Sequence, residues 1–237
     1  MDCYKIINDE EALIKFIEWL PDLKDNEIYY VSLFARRKYA NQLIKSNDKT
    51  QLKRFTANKE NLLHKIKQLE IPLGLYKLRD MDVPQESLVL YIMPNPRCMK
   101  KATELMGKKC WDLHRSDNFN LHQEAMSCIQ QSKSYGFVVD FDIDTKDVDL
   151  SQIYTVLPKG TFDVVETRGG YHLLVHPTRA SNCSDKQYYD FETSIKRLGK
   201  NWYKDICSIF PVDQSKDQML PVVGCCQSIF TPKFIEI

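Results

Sequence analysis

Two aspartates two residues apart, Asp140 and Asp142, are the first groups in this chain whose type and spacing point to chemistry. They stand in residues 136–143 (GFVVDFDI), a run rich in β-formers that reads as a strand. Side chains alternate along a strand, so Asp140 and Asp142, with Asp144 in line, share one face. Phe137, Val139, Phe141 and Ile143 share the other, and that apolar face is expected beneath helices because unpaired carboxylates are costly to bury. The two acids then stand on an uncovered sheet face about 6–7 Å apart at the backbone. There they can converge on a divalent ion, and oxygen donors suit Mg2+ or Mn2+. A D-x-D step alone is no more than chance yields in a chain this long; its setting gives it weight.

Residues 133–140 (KSYGFVVD) come close to the nucleic-acid-stacking octapeptide of RNA-recognition motifs, departing from it at Ser134 and Asp140. That alignment turns Tyr135 and Phe137 outward and drives both aspartates into the core. Burying two charges without partners would cost several kcal/mol each, so parity rejects the match.

A histidine follows 30 residues after Asp142, in residues 166–172 (ETRGGYH). Residues 162–167 and 171–176 read as strands joined through Arg168-Gly169-Gly170, a hairpin signal. The glycines let a phosphate approach backbone amides, and His172 on the next strand can hydrogen-bond a triphosphate beside the fixed charge of Arg168. His176 reads as a satisfied structural residue. A third acid, Asp213, follows Val212.

The chain of 237 residues carries 33 Lys+Arg against 32 Asp+Glu and is 43% hydrophobic, which excludes a wholly disordered protein. No run approaches the ~18 apolar residues of a membrane span, and the N-terminus lacks a signal-peptide pattern, so a cytoplasmic protein with no membrane partner is expected. Charge is uneven along the chain. Residues 36–67 hold ten Lys/Arg and two acids, a solvated helical face or a polyanion contact; residues 140–149 hold five Asp and one Lys. Eight scattered cysteines read as reduced thiols. Cys98, Cys110, His114, His122 and Cys128 lack a CxxC frame, and structural zinc is not expected there.

The elements that must position these groups alternate between helix and strand. Helices are expected from Asn8 or Asp9 to Leu20, over 57–70, 97–107, 118–132 and 185–198. Strands are expected over 27–34, over 87–93 closed by Pro94-Asn95-Pro96-Arg97, and over 205–210 (DICSIF). The fold class is α+β with a mostly antiparallel sheet.

Hydrophobic-D-x-D (Asp140, Asp142), then Gly170-Tyr171-His172, then hydrophobic-Asp (Asp213) resembles, in order and spacing, the archaeo-eukaryotic primase superfamily. The likeness is to its small primase-polymerases of plasmids and viruses, and it spans about residues 130–232. The resemblance implies an RRM-like catalytic sheet with flanking helices in 98–237, packed against an N-terminal α/β lobe in 1–97, as one integrated domain. It implies a DNA primase or primase-polymerase: a nucleotidyltransferase in DNA replication, using two Mg2+ or Mn2+ held by Asp140, Asp142 and Asp213. His172, Arg168, Gly169 and Gly170 would bind the NTP or dNTP. Residues 220–224 (LPVVG) are similar to the family's R-x-P-G segment without its Arg, leaving Lys216 or Lys233 as substitutes. Arg36, Arg37 and Lys38 would contact single-stranded DNA template through its phosphates. A bacterial, plasmid or phage setting and a replicative helicase as partner are also implied; with no G-x-x-x-x-G-K-[ST] loop here, that helicase is a separate protein. The alternatives are a nuclease, a D-x-D glycosyltransferase, or a degenerate nucleic-acid-binding module.

Overall fold

The computed structural model describes residues 2–40, 49–78, 80–113, 120–180, 202–213 and 217–237. Asp9 caps α1 (Glu10–Trp19) by accepting from Ala12 N, and Pro21 follows its end. Asn58 caps α2 (Lys59–Lys67) in a reciprocal capping box with Asn61. Leu13 and Phe16 of α1 and Leu62 and Ile66 of α2 bury against one face of a sheet ordered β10-β5-β1-β2. Its strands are β1 (Glu27–Arg36), β2 (Lys49–Ala57), β5 (Leu88–Cys98) and β10 (Leu220–Pro221), all neighbours antiparallel. A small hairpin, β3 (Lys77–Leu78) with β4 (Met81–Asp82), lies apart from it. On the sheet's opposite face α3 (Met99–Leu113) and α4 (Leu121–Gln131) cover Tyr30 and Met93 through Ala102, Met126 and Ile129.

The second sheet runs β11-β7-β8-β6-β9, again antiparallel throughout. It comprises β6 (Val139–Ile143), β7 (Phe162–Glu166), β8 (Tyr171–Val175), β9 (Val212–Asp213) and β11 (Lys233–Ile235). A 3-10 helix (Leu150–Thr155) connects β6 to β7; α5 (Pro177–Ala180) and α6 (Trp202–Ile209) lie between β8 and β9. Val139, Phe141, Ile143, Leu173 and Val175 pack beneath Ile153, Trp202, Ile206 and Phe210. The chain is thus α+β with antiparallel sheets, and among the described residues no helix is long and apolar enough to cross a membrane.

Several expectations need correction. The aspartate-bearing face is not uncovered: Val138, Val165 and Leu174 on that side enter the core of the first sheet, because the two layers share one apolar interior. Residues 205–210 are helical within α6, since Trp202, Ile206 and Phe210 recur every four residues and a short apolar run alone does not fix the period. Pro94-Asn95-Pro96-Arg97 does not close a strand but lies inside β5. There the register passes from Tyr30↔Met93 to Ile28↔Arg97, an irregularity that leaves both prolines without a ladder bond to supply. The basic stretch is not one helical face: residues 49–57 form the edge strand β2, with Lys49, Gln51 and Lys53 exposed, which discourages edge-to-edge pairing. The 97/98 division falls within β5, and residues 220–221 return to the first sheet through β10 before β11 joins the second. The helix expected over 185–198 lies outside the described residues.

Candidate active site

His172 on β8 stands directly opposite Asp142 on β6 in the strand register, and Asp140 is its diagonal neighbour. Nδ1 of His172 donates to Asp140, with Oδ1 at 2.8 Å and Oδ2 at 3.0 Å. A carboxylate only accepts, so the proton of this bond belongs to the imidazole. Nε2 on the far side of the ring is 3.7 Å from Asp142 Oδ1. Asp140 is 2% exposed and His172 5%. Burial by itself would depress the imidazole pKa. The charge and hydrogen bond of Asp140, joined by the charges of Asp142 and Asp144, outweigh it and raise the value to about 9.

Above this pair opens a cleft of about 530 Å3 between the two sheets. One wall carries Asp142, Asp144, His172 and Gly169; the other carries Phe34, Tyr91, Arg36, Lys38 and Lys49. Arg36 and Lys49 are paired in register across β1 and β2, which brings both cations to the same end of the sheet. Arg36 Nη1 donates to Tyr91 Oη at 2.9 Å, and burial pushes the Tyr91 phenol up to about 12. Nζ of Lys49 lies 4.5 Å from the centroids of both Phe34 and Tyr91, so the ammonium is held over aromatic faces on the cleft side. Cations thus face carboxylates across a space of nucleotide size.

The hairpin of β7 and β8 is docked where Gly170 meets the end of β6. A Cβ on Gly170 would come 1.8 Å from the carbonyl oxygen of Ile143 and 2.7 Å from Thr145 N. The glycine is required by this close approach; its φ is not in the left-handed region.

The structure brings Asp140, Asp142 and His172 together, with Asp144 and Gly169 beside them. Asp213 sits opposite Asp142 in the β6–β9 register; its side chain is outside the described set, as are Lys216 and His114. Arg168 stacks on the Tyr39 ring at 4.4 Å and donates to Ser228 Oγ at 3.0 Å, at the rim of the cleft. Lys233 is not brought to the cleft: it lies on β11, where its ammonium is 3.4 Å from Glu166. Arg37 is exposed on the turn that follows β1, whereas its neighbours Arg36 and Lys38 line the cleft. Among the described residues no three histidine, cysteine or carboxylate groups converge as a ready ion site.

Lys49, Phe34 and Tyr91 carried no motif, only a place in a basic stretch and two apolar runs. Asp217 was missed as well. It lines the cleft and accepts two hydrogen bonds from Arg97, a residue that sequence reading places in a turn. Comparison of the chain with family models, with curated proteins and with solved structures finds no match.

Proposed function

We propose that this chain is a template-directed nucleotidyltransferase, a DNA primase or primase-polymerase that acts on single-stranded DNA with NTP or dNTP. The observation that carries the reading is the cleft in which Asp142, Asp144 and His172 face Arg36, Lys38 and Lys49. The strand order β9-β6-β8-β7, with helical crossovers from β6 to β7 and from β8 to β9, supports an RRM-like catalytic sheet, since it is the order of the split β-α-β fold. The expected helicase partner, a cytoplasmic setting and a plasmid or phage source belong to the same proposal.

The donor set fits a hard divalent cation. Asp142 and Asp144 offer carboxylate oxygens at the cleft, and Asp213 is in register with Asp142. Mg2+ or Mn2+ bound there would lower the pKa of an attacking 3′-hydroxyl and neutralise charge on the departing pyrophosphate. The protein's own groups do the rest. His172 donates from Nε2 to a phosphate oxygen, Arg36, Lys38 and Lys49 hold the remaining phosphate charge, and the Phe34–Tyr91 wall excludes water. Template phosphates extend along the same basic edge.

The test is incubation with single-stranded template, labelled nucleotides and Mn2+, without primer. Metal-dependent dinucleotides that disappear in a folded Asp142→Ala variant are expected. Template degradation without added nucleotides would instead identify a nuclease, and no product from the wild-type chain would remove the proposal.

A further inference from the structure

We infer that Asp140 serves the site through His172, holding the ring so that Nε2 faces the cleft, and is not itself an ion ligand. This rests on the proposed nucleotidyl-transfer reading for the use to which Nε2 is put, but not for the contact. The two aspartates of the D-x-D step share a strand face and differ in surroundings. Asp142 lines the cleft; Asp140 does not. Asp140 sits at the level where Val138, Val165 and Leu174 close the interior between the sheets, and its side chain is 3% exposed. Both of its oxygens lie within 3.0 Å of one donor, Nδ1 of His172. Drawing Asp140 out to an ion would therefore break this bond and leave a buried imidazole nitrogen unmet.

The geometry that remains is directional. With Nδ1 committed to Asp140, the other ring nitrogen is the one presented toward Asp142, 3.7 Å away. A carboxylate behind a histidine that meets the ligand at its other nitrogen is a recurrent way to fix ring orientation. Here it makes Asp140 a positioning residue. The step of two residues along β6 separates its role from that of Asp142 by depth alone.

The contact can be read without turnover, in protein labelled with 15N-histidine, as a slowly exchanging Nδ1–H proton of His172. His172→Gln assigns the resonance, and its attachment to Nδ1 separates it from His176, which uses Nε2. In the wild-type protein the resonance is expected to be present and to persist when Mg2+ is added. In Asp140→Asn it is expected to vanish while Mn2+ affinity, followed by electron paramagnetic resonance, is unchanged; Asp142→Asn should weaken Mn2+ binding about tenfold or more. Loss of the wild-type resonance on adding Mg2+, or an Mn2+ defect in Asp140→Asn equal to that of Asp142→Asn, would overturn the inference. The Mg2+ arm does not use the Asp140 variant, so misfolding of Asp140→Asn does not remove the test. Absence of nucleotide synthesis counts against the functional reading alone; absence of the Nδ1–H resonance counts against this inference alone.

Discussion

Arg97 and Asp217, 120 residues apart in the chain, form a two-pronged ion pair, with Nη1 at 2.8 Å and Nη2 at 2.6 Å from the two carboxylate oxygens. Arg97 is wholly buried, and its Nε and Nη1 also donate to the carbonyls of Asn95 and Gln130. Asn95 in turn donates to Asp217 Oδ1 and to the carbonyl of Val138, and accepts from the amides of Phe137 and Val138. Arg97 and Asn95 together thereby tie β5, the end of α4, the residues that lead into β6 and the wall of the cleft.

Removing one partner should be worse than removing both. Asp217→Leu strands the wholly buried Arg97 guanidinium and should cost about 3–5 kcal/mol, whereas Asp217→Leu with Arg97→Met should recover a large part of that. Urea unfolding of the two single variants and the double variant measures the coupling. Additive losses would show that the pair does not act as a unit.

Gly169 and Gly170 are adjacent but should respond oppositely to alanine. At Gly170 the new methyl collides with the Ile143 carbonyl, and about 3 kcal/mol should be lost as the hairpin shifts from β6. At Gly169 the nearest atom is Asp144 Oδ1 at 3.8 Å, an ordinary contact, so stability should be unchanged within about 0.5 kcal/mol. Thermal unfolding of both variants decides, and equal losses would contradict the docking described.

These contrasts mark how far the sequence could be read. Strand parity put Asp140 and Asp142 on one side of β6 and Phe141 on the other, because alternation is a local property, whereas the side His172 takes is set by the β6–β8 register. Capping at Asn8 or Asp9 was equally local, and the structure uses Asp9. What covers a face is not local. The burial of Asp140 depends on Val138, Val165 and Leu174 meeting a core built from residues 4–92 and 220–226. The cleft's cations escaped for the same reason: Lys49 becomes a wall residue only through its register with Arg36 and the approach of the second sheet. Arg97 was hidden because two prolines advertise a turn, and only a register irregularity in β1 lets them lie in a strand.

His172 gives the fold an alkaline dependence. Its pKa is raised from the ordinary 6.5 to about 9, burial opposing and Asp140 prevailing, so the protonated ring stabilises the native state. That contribution is complete below about pH 6.5 and is lost as pH rises through 9. Wild-type stability should therefore fall between about pH 6.5 and 9 by up to about 1.4 kcal/mol per pH unit, a decline that His172→Gln should lack. Chemical unfolding at stepped pH measures it, and matching slopes in the two proteins would sink the assignment.

An acid dependence should come from the opposite end of the same sheet. Asp163 on β7 accepts from His176 Nε2 at 2.6 Å and from Trp19 Nε1 of α1 at 2.8 Å, so one carboxylate joins the first layer to the second. Burial raises its pKa, but the two hydrogen bonds and the nearby charges of His176 and Arg179 more than offset this and hold it below the usual carboxylate range. A depressed carboxylate contributes stability above its unfolded pKa and loses it as pH falls through the folded one. Acidification should thus release Trp19, which also packs against Phe137 and Phe234, and its emission should shift to the red as the indole meets water. Asp163→Asn keeps the shape and removes the titration, so its acid transition should be shallower and its emission less sensitive to pH. If the variant and the wild-type protein follow the same fluorescence curve, the tie between α1 and β7 lies elsewhere.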